Sequence, residues 1–136
     1  MIQSYRDSDV WKLAMEYTAG IYSLTQHLPK REMYGLASQL QRAGVSIPSN
    51  IAEGHTRSST RDFLRYISFA MSSLAESETQ LMLAQRLHSL DSENLLLQAD
   101  TLGRKLRALK KSLENKVTAV NRAAPELQTS SPQTRN

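Results

Sequence analysis

From Ser38 to Gly54 the chain reads Ser-Gln-Leu-Gln-Arg-Ala-Gly-Val-Ser-Ile-Pro-Ser-Asn-Ile-Ala-Glu-Gly. Leu40, Ala43, Ile47 and Ile51 recur at steps of three and four, the spacing that lines one face of a helix. Pro48 interrupts this run, and a proline at mid-helix costs about 3 kcal/mol because it lacks an amide hydrogen and crowds the preceding turn. The apolar stripe nevertheless keeps its phase from Ala43 through Ile47 to Ile51. The spacing therefore predicts a kinked helix from Glu32 to Glu53, closed by Gly54 as its C-cap. A second, polar row (Gln39, Arg42, Ser46, Asn50 and Glu53) follows the same steps, roughly 80° from the stripe at 100° per residue.

Working outward, three more segments carry the same period, and none alternates like a strand. Before the opening stretch, Trp11, Ala14, Thr18, Ile21, Thr25 and Leu28 predict a helix from Ser8 to Leu28, stopped by Pro29. After it, Phe63, Ile67, Ala70, Leu74, Leu81 and Ala84 predict a third helix from Ser59 to Leu90. The fourth runs to Arg122 on the seam Leu95, Ala99, Leu102, Leu106, Leu109, Leu113, Val117 and Val120. Short connections between long helices predict an all-α, antiparallel up-down-up-down four-helix bundle over residues 1–122. Residues 123–136 are polar, hold two prolines and have nothing to bury, so a disordered tail is expected there. Val10, Tyr17 and Leu24 form a further heptad-spaced row, and Phe69 and Leu87 also lie off the main seam. Surplus apolar surface of this kind predicts an oligomer interface.

Composition narrows the function classes. With 5 glycines and 4 prolines in 136 residues, breakers are scarce, and with no cysteine both disulfides and thiolate metal sites are excluded. The opening Met1-Ile2-Gln3-Ser4-Tyr5-Arg6-Asp7 is too polar for a secretory signal, and no run approaches the ~20 apolar residues of a membrane span. A cytoplasmic protein without a membrane partner is expected. His27, His55 and His88 lie on separate segments with no metal-ligand spacing. There is no Gly-rich phosphate loop and no nucleophile–base pair, so neither enzyme activity nor a cofactor is expected.

The net charge of +4 is unevenly distributed. Between Arg104 and Arg122 lie seven basic side chains against Glu114 alone, a net +6, so the remainder of the chain sums to −2. On the wheel Arg104, Lys111 and Arg122 project away from the seam, with Arg107 near them and Lys105, Lys110 and Lys116 flanking. Arg104, Arg107, Lys110, Lys111 and Arg122 are the candidate nucleic-acid contacts. The alternatives are a solvated face and a phosphate-binding ridge repeated around an oligomer. The polar row Gln39, Arg42, Ser46, Asn50 and Glu53 is likewise either a hydrogen-bonded network or interface, or a contact row for a ligand or nucleic acid.

Extended to Gly35-Leu36-Ala37, the opening stretch resembles the signature of the bacterial four-helix bundle protein family, the 23S rRNA intervening-sequence proteins. That pattern is similar to Gly-Leu-x-x-Gln-x-Arg-Arg-Ala-x-x-Ser-Ile-Pro-x-Asn-Ile-Ala-Glu-Gly. The resemblance runs more loosely from Val10-Trp11 to about Val120, and Tyr66-Ile67-Ser68-Phe69-Ala70 with Ser73-Leu74-Ala75-Glu76 looks like the third-helix motif. Gln41 departs from the first arginine of the pair, Ser72 from a common glycine, and Ser77 from an apolar residue. The resemblance implies a homo-oligomeric ring, typically a pentamer with a central channel. Relatives among the accessory proteins of diversity-generating retroelements bind nucleic acid and a reverse transcriptase. RNA or DNA, and a nucleic-acid enzyme, are the partners so implied. The expected function is a non-enzymatic, nucleic-acid-associated adaptor, and the alternative is a structural or protein-interaction scaffold.

Overall fold

The computed structural model describes residues 4–130, with side chains described for 4–123. Four helices carry the chain: α1 Asp9–Thr25, α2 Leu36–His55, α3 Thr60–His88 and α4 Glu93–Ser130. Two short 3-10 turns, Tyr5–Asp7 and Lys30–Glu32, are added, and no strand occurs among the described residues. Serines start two of the helices: Ser8 Oγ accepts from the Trp11 amide at 3.3 Å, and Ser59 Oγ from Asp62 at 3.0 Å. α3 ends on Ser89 in the left-handed region (φ 54°), whose N–H donates back to the Gln85 carbonyl at 3.0 Å. Ser92, fully enclosed, then donates to the Leu81 carbonyl at 3.2 Å and ties the α3–α4 link to α3.

α1 packs on α2 and α4, and α3 on α2 and α4, around one apolar core. Each stripe read from the sequence enters it: Ala14 and Ile21, Leu40, Ile47 and Ile51, Ile67 and Leu81, Leu102 and Leu106 are fully enclosed.

α2 runs unbroken through Pro48. In a helix the amide of residue 48 would donate to the carbonyl of residue 44; proline has no such amide, so the Gly44 carbonyl loses its partner. The Thr18 hydroxyl of α1 lies 2.8 Å from that carbonyl and also 2.8 Å from the Ala14 carbonyl. One hydroxyl proton serves one acceptor at a time. The Ala14 carbonyl already receives the Thr18 amide within α1, so the orphan at Gly44 is where the proton is needed. Gly44 makes the approach possible, since a Cβ there would sit 3.1 Å from Ile21 Cδ1 and 3.5 Å from Thr18 Cγ2.

Four expectations are corrected. α2 begins at Leu36, not Glu32: the chain makes a 3-10 turn first, and Glu32 Oε1 accepts the Leu36 amide at 3.2 Å from outside the helix. The same carboxylate meets His88 Nε2 at 2.7 Å, and these two partners, His88 first, hold its pKa below the usual carboxylate range. Gly54 is not the C-cap, for the helix continues to His55 and Thr56 closes it. Gly54 is instead buried where α2 meets α3: a Cβ there would meet Phe63 Cδ1 at 2.8 Å and Tyr66 Cβ at 3.1 Å. The row Val10, Tyr17 and Leu24 turns largely inward: Tyr17 is fully buried, and the other two are half-buried and pack against the core. Tyr17 OH lies 2.7 Å from Ser77 Oγ, which itself donates to the Leu74 carbonyl at 2.8 Å, so the tyrosine is the donor in the pair. Burial is the main cause that pushes the phenol pKa up to about 12. Ser77, a departure from the apolar residue of the family pattern, thus has a defined polar partner. Lastly, the seam of α4 outlasts the core: Leu113 is buried, but Val120 is 65% exposed.

The bounds of α4 extend past the expected end at Arg122. The tail expected over 123–136 falls, but for Ala123, outside the residues with described side chains, and 131–136 outside the described residues altogether.

The close approach at Gly54 carries a prediction. Alanine in place of glycine inside a helix gains about 1 kcal/mol, whereas forcing a methyl into a filled contact costs about 1–3 kcal/mol. Tyr66 Cβ is tied directly to its backbone and gives little, so the second effect wins. Gly54→Ala should lower stability by about 1 kcal/mol, read as an earlier urea midpoint at fixed protein concentration.

Candidate nucleic-acid interface

α4 has only one side committed to the core, and this is what frees its basic residues. Arg104, Arg107 and Lys111 are exposed, Lys110 is half-buried, and Arg122 is exposed where the helix has outrun the core. From Arg104 to Arg122 the ridge extends about 27 Å at ~1.5 Å per residue. It is not uniformly free. Arg104 meets Asp100 one turn earlier at 3.4 Å, with both side chains 64% exposed, a pair that salt screens readily. Arg107 lies in the field of Glu78 on α3. Burial first, and then the charge of Asp100, raises the Glu78 pKa, while Arg107 acts in the opposite direction. Lys110 and Lys111 form no ion pair among the described residues. The structure thus brings Arg104, Lys111 and Arg122 to one outward side, with Arg107 and Lys110 on the flank toward α3.

The polar row of α2 divides into parts. Ser46 and Asn50 form a network with α3: Ser46 Oγ lies 2.8 Å from Ser73 Oγ, and Asn50 Nδ2 donates to Ser46 Oγ at 2.9 Å and to its carbonyl at 2.8 Å. Glu53 belongs to a second group. Arg57 lies 3.4 Å from its carboxylate, donates to Tyr66 OH at 2.8 Å, and stands 4.7 Å from the Tyr66 ring centroid. Gln39 and Arg42 are exposed, with no hydrogen bond to another side chain among the described residues. Gln41, at the position of the first arginine of the family pair, donates to Thr25 Oγ1 at 3.0 Å across the α1–α2 contact. Ser72 is exposed.

Sequence periodicity overlooked Lys105 and Lys116 as a pair. Both flank a depression with Val10, His55, Phe63, Leu109 and Leu113 at its lining, beside the first turn of α1, beyond which α4 continues. The available signal was length: a 17-residue α1 cannot cover a 38-residue α4. His55 packs on Phe63 with ring centroids 4.7 Å apart, and burial lowers its pKa, which favours the neutral ring. No group of three or more potential metal ligands occurs among the described residues, and none of their helices is long and apolar enough to cross a membrane.

These features define a class: an all-helical protein of four helices, one of which projects beyond the common core and carries a basic outer side. The family model for the 23S rRNA-intervening sequence protein matches residues 6–115, and the chain belongs to that family. No curated protein matches the chain. Among solved structures, a protein of unknown function from the S23 ribosomal protein family of Bacteroides thetaiotaomicron is similar in fold. It has a TM-score of 0.70 and 24% identity, covering 75% of this chain and 98% of that one.

Proposed function

We propose that this protein is a non-enzymatic, oligomeric adaptor that binds the phosphate backbone of RNA or DNA through α4, in the cytoplasm and alongside a nucleic-acid enzyme. The single observation that carries this reading is the net +6 of residues 104–122 on a helix whose outer sides are solvent-exposed. Backbone binding needs cations along a ridge and releases condensed counterions, whereas base reading needs groups that enter a groove. The ridge has the former and few aromatic side chains beside it for the latter.

The protomer is read as an antiparallel up-down-up-down bundle. In support, Ser46 meets Ser73 while Gly54, farther along α2, meets Phe63 and Tyr66, which come earlier in α3. The assembly is read as a ring, a pentamer by family resemblance. The backbones of α1 and α3 stay more than 8 Å apart across the core, so they occupy opposite sides. Each side exposes apolar groups: Met15 and Tyr22 on α1, and Phe69, Leu83 and Leu87 on α3. Two different patches on opposite sides are what a head-to-tail, closing contact uses. Repetition around a ring would place several α4 ridges along one strand.

Two tests follow. Neutralising Arg104, Arg107 and Lys111 together to glutamine should weaken binding to any duplex and lower the log–log salt slope by about 2–3, at ~0.9 per lost phosphate contact. Unchanged mobility of RNA and DNA at low salt with micromolar protein contradicts the reading. For the assembly, native mass measurement should give a closed oligomer that Phe69→Glu with Leu87→Glu returns to protomers with helicity intact. A monomeric unsubstituted protein contradicts the ring.

A further inference from the structure

Beside the ridge, and bordering it at Lys111, α4 has a second exposed strip. Where α1 begins at Asp9, a hollow of about 450 Å³ opens between Ser8–Val10, His55, Phe63 and α4, and it continues into a shallower, more open stretch of the surface of α4 itself, with which it shares Ala108, Ser112 and Lys116. Together they form one trough along α4 from Lys105 to Ala119, about 21 Å at ~1.5 Å per residue. Its inner end is apolar, with Val10, Phe63, Leu109 and Leu113, and there the Nε2 of His55 is buried without a hydrogen-bond partner. Along the helix the floor is made of small side chains at helical spacing: Ala108, Ser112, Asn115 and Ala119. Lys105, Lys111 and Lys116 stand along it, and Asp9 is the one carboxylate in either lining.

We propose that this trough is the seat of an amphipathic helix from a partner protein, with an apolar seam flanked by glutamate and aspartate, docked where a longer α1 would have lain. Small floor residues admit a helix axis at the usual ~8–10 Å separation. A trough of this length accepts about four turns. The apolar inner end buries a large aliphatic or aromatic side chain, and the three lysines select acidic flanks. A symmetric contact with a second copy would bring Lys105, Lys111 and Lys116 of both copies together, and a copy seated head-to-tail is told apart by the oligomer mass in the test below. A nucleic-acid strand finds its charge partners here but gains nothing from placing phosphates over Val10, Leu109 and Leu113.

The test uses the full chain and two labelled synthetic helices of about 16 residues. Both carry the same Leu/Ala seam, one flanked by glutamate and the other by lysine. Fluorescence anisotropy at low salt should give binding at least ~10-fold tighter for the glutamate helix. Ser112→Trp, which fills the exposed floor, should abolish it, and Lys105→Glu with Lys116→Glu should reverse the preference. Several results overturn the proposal: no binding of the glutamate helix at millimolar concentration, equal binding of both helices, or indifference to Ser112→Trp. It is equally overturned if Ser112→Trp changes the native oligomer mass, which makes the occupant a second copy. Loss of binding to a uridine oligonucleotide in that variant makes the occupant a nucleic acid. Ser112→Trp changes no charge on α4, so in that arm failure here and failure of backbone binding remain separate results.

Discussion

At Pro48 the backbone of α2 lacks one hydrogen, and the carbonyl of Gly44 is left inside the protein with no partner from its own helix. An unsatisfied buried carbonyl costs about 1–3 kcal/mol, enough to decide how two helices sit. The Thr18 hydroxyl meets it at 2.8 Å, and it gets there because Gly44 has no side chain to hold α1 away. Three residues thus set the distance and rotation of α1 on α2. With α1 so rotated, Tyr17, the residue beside Thr18, points across the core to Ser77 on α3, and Gly20 lets α1 come against Leu95 of α4. The close contact of α2 with α3 at Gly54 completes the frame on the other side.

The functional consequence is one of length. The core closes at Leu113, since α1 begins only at Asp9, and α4 continues. Past that point and along its outer side, α4 has no apolar partner within the described chain to bury, so basic residues there incur no desolvation cost. Charge density on an exposed helix is therefore a by-product of unequal helix lengths before it is a binding device. The same inequality leaves the trough between Lys105 and Ala119.

Much of this was readable from periodicity. The four helices and most of their enclosed side chains follow from apolar steps of three and four, because burial on one side is what produces such steps. What periodicity could not show was which polar or small residue touches which helix. Gly54 looked like a helix terminator, yet its role is close contact with Phe63 and Tyr66, residues it meets only in the fold. Val10, Tyr17 and Leu24 looked like surplus surface because a wheel cannot tell how wide the buried side is when two neighbours, α2 and α4, flank the same helix. The polar row of α2 was visible as a row, but its division into a Ser46–Asn50–Ser73 network and a Glu53–Arg57–Tyr66 group depends on residues from α3. The basic stretch was fully visible as charge, while the Asp100 and Glu78 carboxylates that offset part of it needed coordinates.

The claim that a missing amide at Pro48 is answered by Thr18 is tested most directly by a double-mutant cycle read by urea denaturation. Thr18→Val keeps the shape and removes the hydroxyl; Pro48→Ala restores an amide that can bond the Gly44 carbonyl within α2. Loss of the Thr18 contact to Ala14 is common to both backgrounds and cancels. The account predicts that Thr18→Val costs about 1–3 kcal/mol in the unsubstituted protein and less by about 1 kcal/mol or more beside Ala at position 48. An equal cost in the two backgrounds would contradict it.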